Sequence, residues 1–298
     1  MIGLLTDSNA QLPAELAERY GVEVVPLTVT INGVDYQEGV DLDADAFYAH
    51  FEGGSHPEVS TSQPSPGRFA AAFAALARRG AGEILAVHLG SALSGTVNSA
   101  RVAATASPVP VRIVDTGTAS FGVGCCVWEA GDALAGGASL AAAAAAAEAV
   151  AARVRTVFTL GGLDLARAGG RLRLDEGADA GAGADDHQAV PVLTMDGRKP
   201  AVVGQAADVA SAADAMAEVV LAGGSSLRVG LGIADAGAAP LWQALAQRLG
   251  GAPQVREVVR YRIGPSVGAH TGPGAAGAFF YPSRSYPSGS HTSGDATP

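Results

Sequence analysis

From Ile2 to Leu160, short β-type apolar runs alternate with helix signals, and this alternation constrains the fold more than any other feature. Ile2 to Thr6 forms the first run and ends in polar Asp7-Ser8-Asn9. Pro13 to Tyr20 predicts a helix with Pro13 near its first turn. Val22 to Ile31 is β-rich, and Asn32-Gly33 predicts a hairpin turn. Asp43 to Phe51 predicts a short helix, and Ser65 with Pro66 opens another through Arg79. Ile84 to Leu89 reads as a buried strand, followed by a helix from about Ser94 to Ala106. Val111 to Val114 is a further strand ending at Asp115, and two Ala-rich helices precede the run Val154 to Leu160. Strands spaced this way imply a mostly parallel sheet covered by helices.

The pattern changes near residue 156. Val190 to Thr194, Asp196-Gly197 and Ala201 to Gln205 read as a hairpin. Val209 to Leu221 reads as a helix, Leu227 to Ile233 as a strand, Pro240 to Leu249 as a helix and Val255 to Ile263 as a strand. Ala275 to Tyr281 is placed to close the sheet. The expected fold class is therefore α/β with two domains. Residues 1–156 form a mostly parallel α/β/α sheet domain, and residues 157–282 an α+β domain with an antiparallel sheet. Residues 283–298, rich in Ser, Pro, Gly and Thr, hold too little apolar content to fold and are expected to be a disordered tail. Gly177 to Asp186 is also loop-like.

Charge narrows the partners. Net charge is −10 and the only lysine is Lys199, so the basic face that phosphate neutralisation requires is lacking, and nucleic acid is not an expected partner. Cys125 and Cys126 are adjacent and are the only cysteines, which leaves no disulfide framework and suits a reducing cytoplasm. Their apolar setting reads as helix packing rather than redox chemistry. Met1 to Asp7 has no basic region and no long apolar stretch, so it reads as a strand rather than a signal peptide. The run Ala141 to Ala147 is too short to span a bilayer, and no stable membrane insertion is expected.

Three segments combine hydroxyls, glycine and a loop: Thr61-Ser62-Gln63-Pro64-Ser65, Ser91-Ala92-Leu93-Ser94-Gly95-Thr96 and His270-Thr271-Gly272-Pro273-Gly274. The second is the most informative. It follows a strand and precedes a helix, where ligands of open α/β sheets bind. The helix start offers free N–H groups, and Gly95 lets an anion approach the backbone. From spacing alone, a helix cap is the simpler account of Ser94, a loop of Thr61-Ser62, and a structural or solvated side chain of His270. Asp7 and Asp115 read as loop braces at strand ends. Catalytic motifs are sparse. There is no Gly-Lys-Ser/Thr phosphate loop, no strand-linked dinucleotide glycine pattern, no zinc-ligand spacing of His and no nucleophile elbow. A Ser94–His270 pair leaves open a hydrolase or phosphotransferase acting on an acyl substrate.

Taken together, the segments resemble the DegV family. The matching stretches are Thr6-Asp7-Ser8, Val25-Pro26-Leu27, Tyr36-Gln37-Glu38-Gly39, Thr61 to Ser65, Leu93 to Thr96 with Ser99-Ala100, Asp115-Thr116, Gly169-Gly170-Arg171 and His270 to Gly274. The resemblance implies a non-catalytic protein that holds a long-chain fatty acid in a tunnel between two domains. It also implies an ATP-dependent fatty acid kinase subunit as partner, to which the acyl carboxylate is presented, with no cofactor and no metal. Carried over by position, Thr61 and Ser94 would contact the carboxylate with backbone help from Ser62 and Gly95. Arg171 and His270 would lie near its outer side. Some positions depart from the family pattern. Asn9 and Gln11 stand where the family usually has Thr and Asp, and Gly90 replaces a common serine. Ala189-Val190 stands where Ile-Lys is frequent, and Gln205 where an arginine is frequent. These last two bear on kinase docking or acyl selectivity.

Overall fold

A computed structural model of the chain describes residues 1–161, 165, 190–196 and 199–283. In chain order the first part contains β1 (Ile2–Asp7), α1 (Ala14–Tyr20), β2 (Glu23–Val25), β3 (Thr28–Ile31), β4 (Val34–Gln37), α2 (Ala44–Ala49), β5 (Val59–Ser62), α3 (Pro66–Arg78), β6 (Glu83–His88), α4 (Thr96–Ala104), β7 (Val111–Asp115), α5 (Phe121–Ala135) and α6 (Leu140–Ala151). The second contains β8 (Arg155–Thr159), β9 (Val190–Asp196), β10 (Lys199–Ala206), α7 (Val209–Leu221), β11 (Leu227–Ile233), α8 (Ala239–Leu249), β12 (Val255–Arg262), α9 (Pro265–Thr271) and β13 (Ala276–Pro282).

The opening alternation folds as expected into a parallel sheet, ordered β2-β1-β6-β7. Parallel strands covered on both faces bury nearly every side chain, as β1 and β6 do. On one face Leu5, Ile84 and Ala86 pack with Phe69, Phe73 and Leu76 of α3 and Ala100 of α4. On the other, Leu4, Leu85 and Val87 share a core with Trp128 of α5 and Ala147 of α6. Ser65 caps α3 by accepting from Arg68 N–H, with Pro66 in the first turn.

The second sheet is mixed. Its order is β10-β9-β8-β13-β11-β12, and every pair is antiparallel except β11 with β12. That parallel pair follows from α8, which supplies the crossover an antiparallel hairpin does not need. β13 does not close an edge; it lies inside the sheet between β8 and β11. Residue 156, where the pattern changes, falls within β8, so the sheet's first strand begins just ahead of it. Ser283 still donates its N–H to Ser226 O at 3.0 Å, and residues 284–298 lie outside the described residues.

α5 joins the layers. All but three of its fifteen residues are buried, as expected for a helix that is apolar all round. It packs on β1, β6 and α6 and also on β11 and β13. Cys125 and Cys126 are fully buried there, and burial pushes both thiols well above their ordinary pKa, which fits packing rather than redox chemistry. One ion cluster crosses the same contact. Arg228 of β11 reaches Glu129 at 3.0 Å and Asp132 at 2.5 Å, both on α5, and its guanidinium lies 4.6 Å from the Trp128 ring centre.

A third, small sheet, β4-β3-β5, is antiparallel, with the expected turn at Asn32-Gly33 joining β3 to β4. Among the described residues, no helix is long and apolar enough to cross a membrane, and no group of three or more His, Cys, Asp or Glu could hold a metal ion.

Candidate functional site

In the parallel sheet, the connection after β1 leads to β2 on one side and that after β6 leads to β7 on the other. The crevice at such a switch point is where open α/β sheets bind ligands. Asn9 follows β1, and Leu89 to Gly95 follow β6. Both segments line a cavity of about 730 Å³, within the usual range for a buried small-molecule site. The opposite wall comes from the mixed sheet, with Phe158 of β8, Met195 of β9 and Phe279 of β13, and α6 adds Ala151.

Polar groups reach the wall from β5, the β6–α4 connection and α9, and from Arg155, Thr156 and Thr159 of β8. Thr61 and Ser62 stand on β5, not in a loop as their hydroxyl-rich sequence suggested. Pairing with β3, Val29 opposite Thr61, holds them. His270 is likewise not in a turn. It lies in the last turn of α9, a seven-residue helix with Pro265 at its start. Thr61 Oγ1 is 3.1 Å from His270 Nε2, and both side chains are part-buried.

Ser94 and Gly95 precede α4. The helix starts at Thr96, two residues later than expected, with Gly95 at the cap position and no side-chain cap bond there. Ser94 Oγ accepts from Thr96 N–H at 3.3 Å and lies 2.9 Å from Thr96 Oγ1. The loop is braced from behind. Asp7, fully buried, accepts from Leu89 N–H at 3.2 Å and lies 2.8 Å from His88 Nδ1. Asp115 accepts from the backbone N–H groups of Ser91 and Gly117 at 3.0 and 3.2 Å. Desolvation works against its carboxylate, but hydrogen bonds from Ser91 and Gly117 hold its pKa below the usual value. Gly90 has no room for the serine it replaces. A Cβ there would lie 2.7 Å from the Gly117 carbonyl carbon.

Thr61, Ser62, Ser94, Gly95 and His270 thus line the same cavity, while Arg171 lies outside the described residues. Among the described residues, the lining holds no Asp, Glu or Lys, so an anionic guest meets no like charge. Amides at the start of α4 and the hydroxyls of Thr61, Ser62 and Ser94 supply donors suited to a carboxylate. Several polar lining residues were not anticipated, among them Asn9, Ser120, Arg155, Thr156, Thr159 and Ser266. Asn9 donates to Ser266 Oγ at 3.2 Å and accepts from Ser120 N–H at 2.9 Å. Ser266, on α9, lines the cavity one turn before His270. Asn9 carried a signal, since it departs from the family pattern. Val190 and Gln205 lie on the β9–β10 hairpin, outside the lining, and Gln205 is exposed.

Comparison with known proteins places these features. The DegV family, described as one of uncharacterised proteins, matches residues 1–283. A DegV domain-containing protein of Streptomyces coelicolor is 32% identical over 277 residues, 93% of this chain and 96% of that one. The structure of a fatty-acid-binding DegV family protein from Thermus thermophilus superposes with a TM-score of 0.79 at 33% identity, covering 94% of this chain and 99% of that one. DegV of Bacillus subtilis, a fatty acid binding protein, has the same fold at a TM-score of 0.78 and 24% identity, covering 94% of this chain and 98% of its own.

Proposed function

This chain belongs to the DegV family, and from that premise we propose that its cavity holds one long-chain fatty acid. The observation that carries the reading is that Thr61, Ser62, Ser94, Gly95 and His270 line one cavity together with apolar side chains such as Leu93, Phe158, Met195 and Phe279. The carboxylate sits among Thr61, Ser62, Ser94, Gly95 and His270. The acyl chain runs between the sheets, past Phe158 and Phe279. A chain of about 14 methylenes at roughly 0.8 kcal/mol each gains on the order of 11 kcal/mol on burial. Ordering of the chain and loss of its free motion offset much of that gain, which leaves tight binding. The binding seen in the Thermus thermophilus relative supports the reading.

The protein acts as a carrier and not as an enzyme, presenting the carboxylate to an ATP-dependent fatty acid kinase subunit in the cytoplasm. Two domains, residues 1–156 and 157–282, both contribute to the cavity wall. Cys125 and Cys126, whose thiols burial keeps protonated, are not activated nucleophiles.

Mass spectrometry of lipid extracted from the gently purified, folded chain tests the binding. The expected result is a free fatty acid at near one per chain. An empty cavity, or a nucleotide bound at the Ser94 loop, would count against the proposal. Incubation of the loaded chain with ATP and Mg²⁺ tests the carrier role: no acyl phosphate should form until a kinase subunit is added.

A further inference from the structure

We propose that Glu38 is a positioning residue for the polar end of the cavity, holding α9 so that His270 meets Thr61. The inference rests on the fatty-acid reading of that cavity.

α9 is seven residues long, too short to keep its own orientation. Its first amides need partners from elsewhere. Gly264 N–H donates to Gln11 Oε1, Pro265 has no N–H, and Ser266 N–H donates to Glu38 Oε1 at 2.9 Å. Two side chains from distant parts of the chain therefore take the donors that the helix start leaves open. They are also tied to each other, because Gln11 Nε2 donates to Glu38 Oε1 at 3.1 Å. Gln11 is held in the left-handed region at φ 53°, a conformation disfavoured for a side chain of its kind. Ser8 Oγ donates to the other Glu38 oxygen at 2.5 Å, and Ser8 Oγ accepts from Leu27 N–H at 2.9 Å.

Glu38 is 6% exposed and does not line the cavity, so it acts through α9 and not on a ligand. Ser266 and His270 are one turn apart and share a helix face, and both line the cavity. Gly268, between them, faces the other way. A Cβ there would lie 2.6 Å from Tyr48 Oη and 2.7 Å from Phe47 Cε1. The helix is thus seated on that aromatic pair and pinned at its start by Gln11 and Glu38. A slip of one residue would turn it by about 100° and carry His270 away from Thr61.

The test compares the lipid-free full chain with Glu38→Ala, Glu38→Gln, His270→Ala and the Glu38→Ala/His270→Ala double variant. One readout is the imidazole ¹H–¹⁵N resonance of His270, assigned through His270→Ala. The other is affinity for palmitate. Glu38→Ala is expected to shift the His270 resonance and weaken palmitate binding about tenfold or more. Glu38→Gln keeps an acceptor for Ser266 N–H and should restore both. In the His270→Ala background, Glu38→Ala should weaken binding little further, because both changes act through one group. An unmoved His270 resonance in folded Glu38→Ala, or equal weakening in both backgrounds, overturns the proposal. Should Glu38→Ala not fold, Gln11→Ala removes the Gly264 contact with Glu38 in place and is judged by the same criteria. A wild-type chain that ignores palmitate would refute the fatty-acid reading alone, since the resonance still decides the positioning.

Discussion

Thr61 on β5 and His270 on α9 lie 3.1 Å apart, although 209 residues of chain separate them. In the tautomer whose Nε2–H donates to Thr61 Oγ1, the Thr61 hydroxyl proton stays free for a guest oxygen. Thr61→Val keeps the side-chain shape and removes the hydroxyl. Loss of one hydrogen bond to a charged group costs about 1.5–3 kcal/mol, so fatty-acid affinity should fall roughly tenfold to a hundredfold. Titration of the delipidated variant with palmitate checks this. An unchanged affinity would remove Thr61 from the carboxylate site.

The parallel sheet was legible because its strands are buried on both faces and read as apolar runs such as Ile84 to Leu89. β5 was not, because Val59–Ser62 has one apolar residue, and what makes it a strand is pairing with β3 at long range. α9 was hidden by its own composition, since Pro265, Gly264 and Gly272 read as turn signals. The first two segments singled out for their hydroxyls and the one containing His270 did reach a common cavity. What the sequence could not show was their support. Glu38 lay in a matching stretch with no visible partner, and Gln11 appeared only as a departure from the family pattern. Their hydrogen bonds to α9 close over more than two hundred residues, a distance no local pattern encodes.

The buried cluster around Arg228 predicts a large stability effect. Arg228 is 3.0 Å from Glu129, 2.5 Å from Asp132 and 3.2 Å from Glu257. Arg228→Met would leave Glu129, buried on α5, without its counter-charge. Removing one partner of such a pair costs about 3–5 kcal/mol, and urea denaturation should show a loss of that order. A loss below about 1 kcal/mol would mean that the cluster is solvated like a surface pair.

Glu38 predicts a pH dependence. Desolvation raises its pKa above the ordinary 4.5, and hydrogen bonds from Ser8, Ser266 and Gln11 only partly reverse this. The folded chain then binds this proton more tightly than the unfolded chain. Its contribution to stability is complete below pH 4.5 and is lost as pH rises through the raised folded-state value. Glu38→Gln cannot titrate. The difference in Tm, variant minus wild type, should therefore grow more positive as pH rises from 4.5 through that window. A difference independent of pH would show that Glu38 titrates alike in both states.

Ser94 separates a ligand contact from a structural one. Its hydroxyl accepts from Thr96 N–H at 3.3 Å and sits 2.9 Å from the Thr96 hydroxyl, while Gly95 holds the cap position of α4. If Ser94 also donates to a bound carboxylate, Ser94→Ala leaves that acceptor one donor short. Affinity should then fall about tenfold to a hundredfold, as expected for a charged hydrogen bond worth about 1.5–3 kcal/mol. Combination with Thr61→Ala should be non-additive, because both hydroxyls would serve one head group. If Ser94 only steadies the start of α4, the change should cost about 1 kcal/mol of stability and leave affinity nearly untouched. Thermal unfolding of the lipid-free variant and palmitate titration, run side by side, distinguish the two outcomes. A stability loss with unchanged affinity would take Ser94 out of the carboxylate site and leave Thr61, Gly95 and the amides of α4 to hold the anion.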